Sequence, residues 1–113
     1  MAGIPRKLTV SYTADALASL DEIWSWNAHR YHRDHASSYI AFLEAETNKL
    51  GVEHACGKPV PSRSGIRYVT IRRKNRGHGH VAVFEIVGDI VYILDYFHTS
   101  QNWQRKLAEK ERK

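Results

Sequence analysis

The chain has a single cysteine, Cys56, among its 113 residues. That excludes an internal disulfide and any cysteine-rich metal cluster, and leaves Cys56 as a small apolar filler or loop residue. No apolar run approaches the ~18 residues a membrane span needs, so no membrane association is expected. The opening MAGIPRKLTV lacks the apolar core of a secretory signal, and the expectation is a cytoplasmic protein. Acidic residues are missing altogether from His54 to Phe84, where seven basic ones fall: Lys58, Arg63, Arg67, Arg72, Arg73, Lys74 and Arg76. Internal repeats, low-complexity stretches and domain linkers are also lacking. GKPVPSRSG has no Walker spacing and is not a phosphate loop.

What is present fits one domain, residues 1–113, with one core. A composition of 42% hydrophobic and 26% charged residues is that of a globular rather than a disordered chain. The net charge is +5 and the isoelectric point near 9.5. This charge is uneven: Thr13 to Glu53 holds seven acidic residues against Arg30, Arg33 and Lys49, whereas the tail from Arg105 has five basic against two acidic. Such blocks point to an anionic partner, nucleic acid or an acidic protein segment; the alternative is a solvated basic face.

RKLTVSYT alternates Leu8, Val10 and Tyr12 with polar residues, as a half-buried strand does. Thr13 is placed to cap a helix with Asp15 in its first turn, and Leu17, Leu20 and Trp24, widened by Ile23, form the inward stripe. HRYHRD interrupts that period. Asp34 is the expected cap of a second helix whose stripe (Ala36, Tyr39 or Ile40, Leu43, Thr47, Leu50) runs to a stop at Gly51. So short a link makes the two helices an antiparallel hairpin.

GVEHACGKPVPSRSG reads as a loop. GIRYVTIRR, HVAVFEIV and IVYILDYF then read as strands, the first two joined by KNRGHG and the last two by a two-residue GD turn. Strict alternation puts Ile90, Tyr92, Leu94 and Tyr96 on one face of the last strand and Val91, Ile93 and Phe97 on the other. A strand apolar on both faces belongs inside a sheet. From Ser100 a final helix carries Trp103 and Leu107, docking through its first two turns and fraying at its end. The fold class expected is α+β: an N-terminal strand and helical hairpin packed on an antiparallel sheet, in the order β-α-α-β-β-β, with a short C-terminal helix.

Several groupings invite chemistry. His29, His32 and His35 are spaced by three, but they straddle the helix break and lack the converging ligands a metal requires, so no metal is expected. Trp26 falls off the inward stripe and is a candidate partner contact. His98, at the lip of the last strand, either titrates usefully or caps backbone groups. Arg67 either faces a ligand or pairs with Glu85 or Asp95 across the sheet.

Taken in order, SYTADALASLDEIWSW, ASSYIAFLEAETNKLG, GIRYVTIRR and VAVFEIVGDIVYILDYFHTSQNW resemble the RelE/ParE superfamily of toxins from bacterial type II toxin–antitoxin pairs. The resemblance spans about Leu8 to Leu107 and is strongest in its ParE-like branch, where His98 followed by Asn102 and Trp103 matches the pattern. It implies a small toxin, a helical hairpin on a sheet, and a cognate antitoxin that silences it. It also implies one of two targets: DNA gyrase, inhibited without nuclease action, or ribosome-bound messenger RNA, which RelE-like members cut.

Cleavage by a 2′-hydroxyl requires a base, an acid and fixed cations around one phosphate. His98, Arg67 and Arg73 would supply them without a metal or cofactor, with Tyr96 on the face of His98 and with His78 and His80 sharing a face of the preceding strand. The RelE-like pattern, however, places an arginine just after the last strand and an aromatic hydroxyl in the final helix. Here those places hold Thr99 and, near the second, Trp103 or Arg105, and an indole has no hydroxyl. The expectation is therefore gyrase inhibition, with ribosome-dependent cleavage and a non-toxic basic nucleic-acid-binding module as alternatives. Residues expected to meet the target or antitoxin are Lys58, Arg63, Arg67, Arg72, Arg73, Trp26 and Trp103. An acidic, apolar antitoxin segment would cover the sheet face the helical hairpin leaves open.

Overall fold

A computed structural model of the chain describes residues 6–61, 63–74 and 77–111. Arg76 of the basic stretch, Asn75 of the expected turn and the tail residues Arg112 and Lys113 lie outside the described residues. The elements are β1 (Thr9–Tyr12), α1 (Ala14–Arg30), α2 (Arg33–Asn48), α3 (Leu50–Glu53), β2 (Lys58–Pro59), β3 (Ile66–Ile71), β4 (His80–Val87), β5 (Ile90–His98) and α4 (Trp103–Glu111). A 3-10 turn, His54–Cys56, links α3 to β2 and leaves Cys56 exposed.

Thr13 converts strand into helix. Its hydroxyl oxygen accepts the Ala16 N–H at 3.2 Å, while its proton lies between the Ile93 and Leu94 carbonyls at 2.9 and 3.0 Å. The cap thus starts α1 and ties it to β5. With the start fixed there, the inward side of α1 is Ala16, Leu20, Ile23 and Asn27, and Leu17 stays 51% exposed instead of joining the stripe. The second cap is His32, not Asp34: its ring Nδ1 accepts the His35 N–H at 3.1 Å. An imidazole acceptor takes the role expected of a carboxylate two residues later.

Gly51 does not stop the helical run either, since α3 passes through it. Its role is close approach. The Leu8 N–H donates to the Gly51 carbonyl at 2.7 Å, and a Cβ on Gly51 would stand 2.8 Å from the Leu8 oxygen.

The sheet has the order β1-β5-β4-β3-β2. Strands β2 to β5 pair antiparallel, whereas β1 joins parallel to β5, with Tyr12 opposite Ile93. No hairpin connects β1 to β5, so nothing in the connection forces them antiparallel. The stretch expected as a plain loop contributes β2, in which Lys58 pairs with Tyr68 and Pro59 with Arg67.

Strict alternation fails in β5. Val83 faces Asp95 and Phe84 faces Ile93, so Leu94 is an extra residue and β5 carries a bulge there. As a result Tyr96 turns to the side of Val91 and Ile93, under the helical hairpin, while Leu94 joins Phe97 on the opposite side.

Both sheet faces are covered by the chain itself. Leu20 and Leu43 of the hairpin pack on Phe84, Val91, Ile93 and Tyr96. On the other face Leu107 and Trp103 of α4 pack with Val81, Val83, Phe97 and Tyr68. The face expected to await an antitoxin is therefore occupied by α4. That helix runs to Glu111, the end expected to fray lying beyond it outside the described residues, and Lys110 ion-pairs with the buried Asp95.

Candidate functional site

The register brings histidines together at one end of the sheet. His80, the first residue of β4, sits between Ile71 of β3 and His98 of β5. The loop from β3 returns through Gly79, where a Cβ would lie 2.2 Å from the Ile71 carbonyl oxygen, so only glycine fits. Gly79 also exchanges hydrogen bonds with Thr99, giving its N–H to the hydroxyl and receiving the Thr99 N–H, both at 3.0 Å. This clamps the chain before β4 to the chain after β5. His78 lies ahead of the strand rather than within it, yet its ring centroid is 5.3 Å from that of His98, and His80 meets His98 edge-on at 5.2 Å.

The three imidazoles are not equivalent. His80 is buried, and its Nδ1 shares a 2.7 Å hydrogen bond with the Tyr39 hydroxyl from α2. Burial first, and the neighbouring His98 second, push His80 down to about 4. Burial likewise pushes Tyr39 up to about 12, against a smaller opposing effect from the Arg73 guanidinium. His98 is also lowered, by burial and by His78. Its Nδ1 accepts the Ser100 N–H at 3.1 Å and contacts the Ser100 hydroxyl at 2.5 Å. Nδ1 being an acceptor, the neutral ring carries its proton on Nε2, a donor with no partner among the described residues.

The imidazoles form the floor of an open cleft of about 790 Å³ between the sheet end and the tips of α1 and α2. Arg73 and Lys74 border it on the sheet side, and Trp26 and Tyr31 on the helical side. Arg73 donates to the Ser38 hydroxyl at 2.6 Å and lies 5.8 Å over the Phe42 ring, which holds the guanidinium at the rim. Trp26 is 60% exposed and meets Tyr31 edge-to-face at 6.3 Å, and Tyr31 is 4.4 Å from His35.

The residues singled out in the sequence do not all gather here. His98, Arg73 and Trp26 line the cleft. Arg67 does not. It pairs opposite Phe84, four residues along β3 from Ile71, which places it ~13 Å away along the strand direction. Its guanidinium donates to the Gly57 carbonyl at 3.3 Å rather than to Glu85 or Asp95. Lys58 is beside it on β2, and Arg63 is in the loop before β3. Arg72 folds back to the Gly77 carbonyl at 3.0 Å. Trp103 is on the far face, 4.7 Å from Tyr68. The basic stretch thus forms a margin along the β2–β3 edge, with Lys58 and Arg67 at one end and Arg72, Arg73 and Lys74 at the other.

Among the described residues no group of three His, Cys, Asp or Glu side chains is arranged to hold a metal ion. His29, His32 and His35 do not converge; His32 is engaged as the α2 cap. Sequence reading missed the role of Tyr39, which looked like one more stripe residue. It also missed Ser100 as the support of His98. An apolar period carries no signal that a stripe tyrosine ends against a buried imidazole.

A helical hairpin on one face of a five-stranded sheet, a terminal helix on the other and a basic margin define the class: a small α+β domain with a cationic edge. Residues 10–103 match the family described as the ParE toxin of the type II toxin–antitoxin system, parDE, and the chain belongs to that family. Among solved structures, one of the chromosomal ParDE TA system from P. aeruginosa superposes with a TM-score of 0.68, covering 80% of this chain and 95% of that one. At 21% identity this likeness is one of fold. No curated protein matches the chain.

Proposed function

We propose that this chain is the toxin of a toxin–antitoxin pair, that it acts by inhibiting DNA gyrase, and that a cognate antitoxin silences it. The observation that carries this reading is the family match over residues 10–103. The site geometry supports it over messenger RNA cleavage. Arg67 stands away from His98, and the final helix offers the cleft no phenol, its aromatic residue Trp103 being packed against Tyr68 on the other face. His98, Arg73 and Trp26 remain together, but the expected catalytic set is broken, because Arg67 stands toward the other end of β3.

With α4 seated on the sheet, an antitoxin has the basic β2–β3 margin and the exposed side of the helical hairpin to bind. An acidic, apolar segment suits both. Expression in bacteria with DNA and protein synthesis followed separately tests the target. The expected outcome is filamentation and DNA damage while translation continues at first. Arrest of translation within minutes contradicts it.

A further inference from the structure

The cleft between the sheet end and the helix tips has walls that differ in chemistry. One wall is aromatic and exposed, formed by Trp26 and Tyr31. The other presents hydrogen-bond donors: the Arg73 guanidinium, the Lys74 ammonium and the Nε2–H of a neutral His98. Among the described residues only one carboxylate, Glu22, borders the space, and its charge acts on Lys110 of α4. A volume of about 790 Å³ is in the range of small-molecule sites.

We propose that this cleft binds a nucleoside phosphate, the base lying against Trp26 and Tyr31 and the phosphate held by Arg73, Lys74 and His98. A flat π-system with an anionic group attached joins the two walls. Stacking on an aromatic ring and charge-assisted donation to phosphate oxygens are the two contacts such a ligand needs. The histidine clamp supports this. Ser100 and the Gly79–Thr99 bonds fix His98 before any ligand arrives, so little ordering cost falls on binding. An acidic peptide fits less well. Its carboxylates would meet the donors of one wall but bring no flat ring to the aromatic one. The phosphate belongs either to a free nucleotide or to the end of a single strand, and both present the same chemistry.

The test titrates the full chain with adenosine 5′-monophosphate, adenosine, inorganic phosphate and a 5′-phosphorylated single-stranded oligonucleotide. The readouts are tryptophan fluorescence and the histidine-ring NMR signals. The monophosphate is expected to saturate and to move the His98 signals, with adenosine or phosphate alone at least ~10-fold weaker because each meets one wall only. Trp26→Ala and Arg73→Gln are each expected to weaken binding by ~10-fold or more, and Lys58→Gln and Arg67→Gln to change it less than ~2-fold. Trp26 and Arg73 are both exposed, so their variants are expected to fold, which circular dichroism verifies. An oligonucleotide bound ~10-fold tighter than the monophosphate assigns the site to a strand end, and one bound no tighter assigns it to a free nucleotide. Failure of both to saturate, binding indifferent to Trp26→Ala and Arg73→Gln, or an acidic peptide in the cleft where nucleotides give no response would each overturn the proposal. The gyrase reading is independent of this result, since neither assay requires the other's target.

Discussion

Holding His80 under Tyr39 makes the fold sensitive to acid. The folded-state value of about 4 lies below the ordinary 6.5, so the neutral ring is favoured by folding. This contribution is complete above pH ~6.5 and is lost as pH falls through 4, amounting to roughly 3 kcal/mol for a shift of this size. Urea midpoints measured from pH 7 to pH 4 are expected to fall more steeply for the native chain than for His80→Gln, which has no group to titrate. Parallel curves would contradict it. Residue-level reading of the sequence succeeded where a side chain has one strong local role, as Thr13 does at its cap. It failed where two residue types share a role. Histidine is an uncommon helix cap, so His32 was passed over for Asp34. Leu17 and Ala16 compete for one inward position, and Ala16 takes it while Leu17 stays half exposed.

At the scale of elements, the bulge at Leu94 is the feature that alternation could not show. Period-2 arithmetic assumes an unbroken ladder, and one extra residue reverses every later assignment. It moves Tyr96 beneath the hairpin, where its hydroxyl meets that of Thr47 at 2.8 Å, and it brings Asp95 to the seam between α1 and α4. Asp95 is almost fully buried, bonded to Ser19 and its own neighbour's N–H as well as to Lys110. Removing the lysine leaves that carboxylate short of its counter-charge. Because Lys110 itself is half exposed, Lys110→Ala is expected to cost only ~1–2 kcal/mol. Leu107→Ala, which opens a cavity under α4, is expected to cost ~2–4 kcal/mol. Hydrogen exchange checks where the loss falls: Lys110→Ala should speed exchange in α4 first, and uniform acceleration across the sheet would contradict a local latch. The helical hairpin, the GD turn and the three last strands were legible because each is a local pattern. The parallel pairing of β1 and the short β2 were not, because both depend on partners distant in sequence.

For the molecule as a whole, the opening strand and helices, GIRYVTIRR and the last hairpin, taken in order, pointed to the right family, whose match covers residues 10–103. The basic stretch was expected as one patch and is instead a margin of the sheet, because β3 runs between its two halves and holds them apart. The candidate catalytic set was legible only as a list of residue types. Which members meet is decided by register, and the register joins His98 to His78, His80 and Arg73 while leaving Arg67 and Trp103 elsewhere. That arrangement is the ground on which gyrase inhibition is proposed over messenger RNA cleavage. Its most direct check is a supercoiling reaction with purified gyrase, relaxed plasmid and ATP, to which the purified chain is added. The account predicts that supercoiling falls as the chain is titrated in and returns when the cognate antitoxin is supplied. Supercoiling untouched by the chain, alongside cleavage of messenger RNA on ribosomes, would contradict it.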